Sequence, residues 1–282
     1  FLKLTVKVRQ NREKNMKNRC YIKAAAMALL LSISAPAAVS AAGPGEGLIT
    51  IETGQTAYGT ATPSELPANT GIVRPVEKYS YRDMEQDIQE LQAKYGSRMT
   101  VNVIGTSADG RNLYEIVVGN VNAGKHVMIQ AAIHGREYMT PLLVMKQLET
   151  ALEQYDTGSC EGTAYSSLFD QAAIHFLPMV NPDGVAISQF GLQGINSPLL
   201  RQTIQNAYEK DLAEGRTTQS MDRYLTYWKA NGRGVDLNSN FDANWENLND
   251  LGHPSYAGYK GESAASEPES RALVNLAGKY SW

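Results

Sequence analysis

Between residues 80 and 96 the apolar positions recur at helical spacing, with polar residues between them. The apolar set is Met84, Ile88, Leu91 and Tyr95. Ser80 supplies an N-terminal cap and Gly96 a stop, so the pattern predicts a helix between them. The next segment, MTVNVIGTSADGRNLYEIVVGN, predicts two strands around a turn at Asp109 and Gly110.

Three further segments continue the alternation of strands and helices. KHVMIQAAIHG contains an unbroken apolar run, which is typical of a strand buried on both faces. MTPLLVMKQLETALEQY predicts a helix, and AAIHFLPMVNPDG predicts a second buried strand that ends in turn residues. Alternating strands and helices indicate an α/β sheet covered on both faces. Sheets of this kind hold their functional sites at strand ends.

The C-terminal third has a different pattern. Residues 197–229 are polar and rich in tyrosine, with the helical stretch LLRQTIQNAYEKDLAEG, which indicates an excursion away from the sheet. NGRGVDLNSNFDANWE then predicts a short apolar strand and a polar loop. In SEPESRALVNLAGKY, Ser266 and Glu269 form a capping box with Pro268 in the first turn. Glu267 and Glu269 are therefore interpreted as residues that favour a helix start.

The N-terminal residues predict export. After a possible initiator at Met16, positive residues precede the apolar run AAAMALLLSI, and the small residues APAAVSAA follow it. This order predicts a secretory signal peptide within residues 1–41, with cleavage after Ala41. A short membrane anchor is the alternative, although the apolar run is too short for a stable span. Residues 42–76 are rich in Gly, Thr and Pro and predict a linker or extended arm, and the folded domain is expected over 77–282.

Removal of the signal peptide changes the charge balance. Of 26 basic and 29 acidic residues, 18 and 28 lie after residue 41, so the mature chain would be strongly acidic. This charge argues against nucleic acid or an anionic membrane as a partner. Cys160 would be the single remaining cysteine, so no intrachain disulfide could form. An exported bacterial enzyme held by its apolar core fits these features, and it would be secreted or associated with the cell wall.

His134 and Glu137 follow directly after the apolar run that ends at Ile133. A histidine and a glutamate three residues apart on a turn can reach one metal ion, and zinc hydrolases use such N and O ligands. The alternative is a strand end with two polar residues that face water. The pair alone leaves both interpretations open.

Four motifs in order favour the metal. They are HGREYMTP at 134–141, MVNPDGV at 179–185, RGVDLNSNF at 233–241 and YKGESAASEPES at 259–270. Together they resemble the zinc carboxypeptidases of the M14 family, from about Tyr79 to the end of the chain. WKAN at 228–231 is most similar to the bacterial branch that cuts γ-D-glutamyl-diamino acid bonds in peptidoglycan stem peptides.

The resemblance implies a mixed central β-sheet with helices on both faces and a Zn²⁺ site. It implies that His134 and Glu137 are zinc ligands and that Arg136 contacts the substrate beyond the scissile bond. Lys229 matches the position of an arginine that stabilises the oxyanion. Asn238 matches an asparagine that helps to bind the substrate's terminal carboxylate. A solvated role for Lys229 and a turn-forming role for Asn238 stay open.

Two departures from the family pattern change the expectation. Ser239 stands where the family has an arginine that grips the substrate carboxylate, and a hydroxyl cannot replace that fork. Strict exopeptidase specificity is therefore not expected. The family's third zinc ligand and its general base are also not found, because His175 is predicted in the core and His253 on a loop. The domain is expected to be incomplete, with both residues beyond Trp282 and little activity in this chain.

The resemblance implies an exported zinc metallopeptidase that hydrolyses peptide bonds in cell-wall stem peptides. Two other functions stay open. The first is a non-catalytic relative that binds peptidoglycan peptides, an alternative that Ser239 favours. The second is a conventional metallocarboxypeptidase that acts on protein-derived peptides.

Overall fold

The structure is a computed structural model that describes residues 71–282. The predicted signal peptide, and the predicted arm as far as residue 70, lie outside the described residues. Within them, no helix is both long and apolar enough to cross a membrane.

The centre of the structure is a mixed four-stranded sheet. Its strands are β1 (Met99–Thr106), β2 (Asn112–Gly119), β3 (His126–Gln130) and β6 (Ala173–Leu177). The order across the sheet is β1-β2-β6-β3, with β3 and β6 parallel and the other neighbours antiparallel. Two short strands, β4 (Ser159–Cys160) and β5 (Thr163–Ala164), form a separate ribbon. The predicted hairpin and the two later strands are confirmed.

Seven α-helices surround or extend this sheet in the described residues. They are α1 (Tyr81–Tyr95), α2 (Met139–Glu153), α3 (Tyr165–Gln171), α4 (Pro182–Phe190), α5 (Pro198–Ala213), α6 (Met221–Thr226) and α7 (Pro268–Ala277). The start of α1 follows the sequence signal, because Ser80 and Asp83 form a capping box. The predicted helices at α1, α2, α5 and α7 are confirmed.

Helices cover both faces of the sheet. On one face, α1, α2 and α3 pack over Ile116, Val118 and Phe176 to form the largest apolar cluster. On the other face, α7 packs on β1, and its Leu273 joins Leu177 in a smaller cluster. Phe176 and Leu177, which are neighbours on β6, point into different clusters, as the two-residue period of a strand requires. The predicted fold class is confirmed.

Three local predictions are wrong. The strand β3 is half-buried rather than buried on both faces, because it lies at one end of the described sheet and pairs only with β6. NPDG starts a helix rather than a turn, since the Asn181 side chain caps α4 and Pro182 occupies its first turn. The short strand expected in NGRGVDLNSNF is absent from the described structure, and a 3₁₀ turn spans Leu237–Ser239 there.

Residues 191–230 build a second apolar cluster beside the sheet. Ile187 of α4, Ile204 of α5 and Leu225 of α6 pack around Trp228, which is completely buried. The predicted excursion is therefore a packed subdomain with its own core. Trp228 directly precedes Lys229, so this core fixes the position of a predicted site residue.

The packed part of the chain begins earlier than the expected boundary at residue 77. Val73 is fully buried in the main cluster, and its backbone N–H donates to the Glu149 carboxylate at 3.3 Å. Val73 therefore belongs to the core, although the residues around it in sequence are typical of turns.

Candidate metal and substrate site

His134 and Glu137 lie on the turn between β3 and α2. Thr140 closes this turn, since its hydroxyl accepts from the Ala132 N–H at 3.0 Å and donates to the Glu137 carbonyl at 2.8 Å. Nδ1 of His134 lies 2.9 Å from Oε1 of Glu137. The structure therefore brings together the two residues that the sequence predicts as zinc ligands.

Gly135 allows this turn to approach the start of α4. A Cβ atom at position 135 would lie 2.3 Å from the carbonyl carbon of Gly184. The Gly135 N–H also donates to the Lys229 carbonyl at 3.1 Å. Glycine is required here by a close contact between two backbones, and a side chain would push His134 away from its neighbours.

Replacement of Gly135 by alanine is expected to destabilise the fold by about 1–3 kcal/mol, because the methyl group meets backbone atoms that cannot rotate away. Urea unfolding followed by circular dichroism would measure the change. Gly278→Ala is the matched control, since its Cβ meets nothing closer than 3.6 Å. Equal unfolding free energies for the two variants would contradict the prediction.

Asp236 is the site residue that sequence reasoning missed. It is buried, and its Oδ1 lies 3.4 Å from Nε2 of His134. Neither of these two buried atoms has a hydrogen-bond partner in the described structure. Its Oδ2 accepts from Nζ of Lys229 at 2.8 Å. The one available signal was its place in RGVDLN, two residues before Asn238, which is predicted to bind substrate.

The charges of this group are mutually supported. Burial lowers the pKa of the His134 imidazole, but the carboxylates of Asp236 and Glu137 raise it above its ordinary value. The contact with His134 lowers the pKa of Glu137. Burial works against ionisation of Asp236, yet His134 and Lys229 lower its pKa to about 2. Asp236 is therefore an anion that holds a histidine and a lysine.

The donor set fits a zinc ion. His134 offers Nδ1 and Glu137 offers a carboxylate oxygen close together, while the other nitrogen of His134 faces Asp236. Zinc-bound histidines regularly donate their second N–H to a carboxylate, which fixes the ring. Residues 71–282 thus supply two protein ligands for such an ion, His134 and Glu137.

The other histidines of the described residues lie elsewhere. His175 is completely buried with Nδ1 2.6 Å from Glu115, as the predicted core residue, and Nδ1 of His126 on β3 lies 3.0 Å from its Nε2. His253 contacts Glu214 at 3.1 Å and, together with Asp211, forms the one group of three possible ligands found within residues 71–282. Asp211 is already bound by Arg216 at 2.9 Å, so this group is explained by its internal ion pairs.

The four other predicted site residues take different environments. The Lys229 ammonium is paired with Asp236, so it is held rather than solvated. Asn238 is exposed on the 3₁₀ turn, and Ser239 is half-buried with its N–H bonded to the Asp236 carbonyl at 2.9 Å. Arg136 is exposed between the two predicted ligands. The catalytic and substrate-binding roles of these residues stay predictions.

Arg136 lines a pocket of about 290 Å³ beside the turn. Its other walls come from the α5–α6 connection, from α6 and from the loop around Tyr256. We call it the arginine–tyrosine pocket, and the residues that define it are Arg136, Arg216, Thr218, Tyr224, Tyr227 and Tyr256.

The two glutamates at the start of α7 differ from their predicted role. No side chain caps α7, so the capping box at Ser266 and Glu269 is wrong. The Asn231 amide instead donates to Glu267 at 2.8 Å and to Glu269 at 3.1 Å, and the Ala108 N–H donates to Glu269 at 3.1 Å. Glu269 is completely buried, so it joins the loop at Asn231 to the sheet rather than serving only the helix dipole.

A histidine–glutamate pair beyond a strand of a mixed sheet, with a buried aspartate behind the histidine, is an arrangement typical of metal-dependent hydrolases. The family model for zinc carboxypeptidases, peptidase M14, matches residues 84–281. The chain belongs to the zinc carboxypeptidase family, which is zinc-dependent.

The most similar relatives cover most of this chain. The γ-D-glutamyl-L-diamino acid endopeptidase 1 of Lysinibacillus sphaericus is 31% identical over 209 residues, which are 73% of this chain and 48% of that protein. Carboxypeptidase B of Rattus norvegicus is 25% identical over 71% of this chain and 41% of its own length. The structure of carboxypeptidase A from Helicoverpa armigera has a TM-score of 0.51 and 25% identity, over 74% of this chain and 45% of that one. The chain thus spans about half the length of these relatives.

Proposed function

We propose that this protein is a zinc metallopeptidase that hydrolyses γ-D-glutamyl-diamino acid bonds in peptidoglycan stem peptides. The observation that supports it most is the pairing of His134 with Glu137, with Asp236 behind the histidine. The similarity to the Lysinibacillus sphaericus endopeptidase supports the substrate class. A substrate of the cell wall also requires export, which the predicted signal peptide would provide.

Each residue of the candidate site has a separate role in this proposal. His134 and Glu137 would hold Zn²⁺, and Asp236, 3.4 Å from Nε2, would favour the tautomer that leaves Nδ1 free for a metal. Bound zinc supplies Lewis-acid polarisation of a scissile carbonyl and activation of water. Lys229 places a cation beside this group, where it would stabilise negative charge on the carbonyl oxygen.

The environment of Lys229 affects that role. Its ammonium lies 2.8 Å from Asp236, so it is positioned before substrate arrives. A fixed cation requires little reorganisation as charge develops. It also shares its charge with Asp236, which makes it a weaker partner for an oxyanion than an unpaired arginine fork.

Ser239 favours a second candidate, a relative that binds stem peptides without cutting them. The residue is half-buried, and its N–H donates to the Asp236 carbonyl. It cannot provide the bidentate grip that a guanidinium gives a carboxylate. Asn238, which is exposed on the same turn, would remain as a polar contact for the peptide.

The test is hydrolysis of L-Ala-γ-D-Glu-L-Lys by the protein expressed from its complete reading frame and loaded with zinc. We expect release of L-Lys, detected by mass spectrometry, and no cleavage of the same peptide with an ordinary α-linked glutamate. Binding of the γ-linked peptide without release of L-Lys would support the non-catalytic candidate. Preferential cleavage of the α-linked peptide would favour a conventional carboxypeptidase.

A further inference from the structure

The arginine–tyrosine pocket is cationic in a chain that is acidic overall. The sequence has a formal net charge of −3, yet two arginines line the pocket and none of the described lining residues is acidic. A third arginine lies beside it, because Arg223 donates to the Tyr227 hydroxyl at 2.6 Å. Charge of one sign collected in a concave site attracts ligands of the opposite sign.

Arg216 is held from behind by a buried carboxylate. Its Nε donates to Oδ1 of Asp211 at 2.9 Å, and the Asp211 side chain is completely buried. Oδ2 of Asp211 accepts from the Tyr224 hydroxyl at 2.7 Å and the Ser255 hydroxyl at 2.6 Å. Both oxygens of Asp211 are thus held by hydrogen bonds, and Oδ1 fixes the Arg216 guanidinium. Such support is typical of a side chain that must meet a ligand in a set orientation.

The outer part of the Arg216 guanidinium remains available. Its Nη2 donates weakly to the Ala257 carbonyl at 3.3 Å and to the Ser255 hydroxyl at 3.5 Å, while Nη1 has no hydrogen-bond partner in residues 71–282. The side chain is 31% exposed. Across the pocket, Arg136 is exposed, and no hydrogen bond to its side chain occurs within the same residues. Two guanidinium groups with free donors therefore line one cavity.

Backbone hydrogen bonds connect this pocket rigidly to the predicted zinc ligands. The Tyr256 carbonyl accepts from the N–H groups of Lys229 and Ala230 at 2.9 and 3.0 Å. The Lys229 carbonyl in turn accepts from Gly135, next to His134. The pocket therefore keeps a fixed position relative to His134.

We propose that this pocket binds the free α-carboxylate of the γ-linked D-glutamyl residue, with Arg216 and Arg136 as its cationic partners. A γ-linkage uses the side-chain carboxyl for the peptide bond, so the α-carboxylate stays free close to that bond. An ordinary peptide bond has no such group in its main chain. Arg216 would thus act as a specificity residue that selects γ-linked over α-linked substrates, and the inference rests on the proposed function.

The experiment compares two peptides that differ only in this carboxylate. They are L-Ala-γ-D-Glu-L-Lys and the same peptide with the D-glutamyl α-carboxylate converted to an amide. Binding to the metal-free protein is measured by isothermal titration calorimetry, so that no cleavage is needed. We expect the carboxylate peptide to bind about 10- to 100-fold more tightly, the range of charge-assisted hydrogen bonds.

Arg216→Gln should remove this preference, and Arg216→Lys should reduce it because a lysine keeps the charge without the fork. Since Arg216→Gln leaves Asp211 buried without its cation, Asp211→Asn/Arg216→Gln removes both charges and guards against unfolding. Arg98→Gln is the matched control, because Arg98 also pairs with an aspartate, Asp156, but lies outside the pocket. It should leave the preference unchanged.

Equal affinity of the wild-type protein for the two peptides would overturn the proposal, as would no binding of either at millimolar concentration. Retention of the preference in the double variant would also overturn it. These outcomes are separable from the proposed function. Cleavage of both peptides at equal rates would support the peptidase function and contradict the specificity. Selective binding without cleavage would support the specificity and contradict the peptidase function.

Discussion

Replacement of His134 by alanine is expected to lower the affinity of the protein for Zn²⁺ by more than about 100-fold, because loss of an outer-shell partner alone costs about 10- to 100-fold. The substitution removes the nitrogen ligand 2.9 Å from Glu137 and also frees the Asp236 carboxylate. A single remaining protein ligand among those predicted cannot hold zinc against a chelator. The proposed peptide hydrolysis should be lost with the metal.

The measurement is competition for zinc between the protein and a chromophoric chelator, with metal content after dialysis checked by mass spectrometry. His253→Ala is the matched control, because His253 belongs to the second group of possible ligands with Asp211 and Glu214. It should retain wild-type affinity. Loss of zinc in His253→Ala, with retention in His134→Ala, would place the metal at that second group and overturn the site described above.

A circular dichroism spectrum distinguishes loss of a ligand from loss of the fold. His134 is partly exposed, with 13% of its side chain accessible, and it belongs to none of the three apolar clusters. Its replacement should therefore leave the helical content unchanged. Weak zinc binding by a folded variant is the result that assigns the ligand.

The elements predicted correctly have signals in their own sequence. The capping box at Ser80, the apolar spacing along α1 and the turn between β1 and β2 act within a few residues, so a short segment determines them. The same reasoning fails for NPDG. Asn181 and Pro182 favour a turn and a helix start equally, and the packing of α4 against the second cluster selects the helix.

The candidate site was predictable only as far as its residues are neighbours in sequence. His134 and Glu137 are three residues apart, so their pairing could be read from the chain. Asp236 meets His134 across about a hundred residues, and no local period predicts such a contact. The position of Arg216 was not predictable either. It depends on how α5 and α6 pack around Trp228, and the polar sequence of this segment did not indicate that core.

Glu269 shows the same limit, because the sequence explains why a glutamate begins α7 but not why it is buried. It is packed between the hairpin turn at Ala108 and the loop at Asn231, and Asp183 lies near it. Burial raises its pKa, and the Asp183 carboxylate raises it further, to about 7. This carboxyl group therefore holds a proton in the folded protein at a pH where it would lose it when unfolded.

The stability of the protein is expected to fall between pH 4.5 and 7 through Glu269. Below pH 4.5, the ordinary pKa, the group is protonated in both states and contributes no pH dependence. Between pH 4.5 and 7 the unfolded chain loses the proton while the folded protein keeps it, so unfolding becomes more favourable as pH rises. The loss amounts to about 3 kcal/mol when complete above pH 7.

Glu269→Gln is expected to remove this loss, because glutamine has the shape of the protonated acid and cannot ionise. Chemical unfolding at pH 5 and pH 8 should give similar free energies for variant and wild type at pH 5. At pH 8 the variant should be more stable by about 1–3 kcal/mol, less than the full amount since its amide faces the Asn231 amide.

Asp87, whose pKa burial raises to about 6, adds a similar dependence to both proteins, so the difference between them isolates Glu269. Glu262→Gln, on an exposed loop, removes one negative charge without this burial and should keep the wild-type profile. A difference between Glu269→Gln and wild type that is the same at both pH values would show that Glu269 is ionised in the folded protein, and that Asn231 and the Ala108 N–H stabilise its charge despite burial.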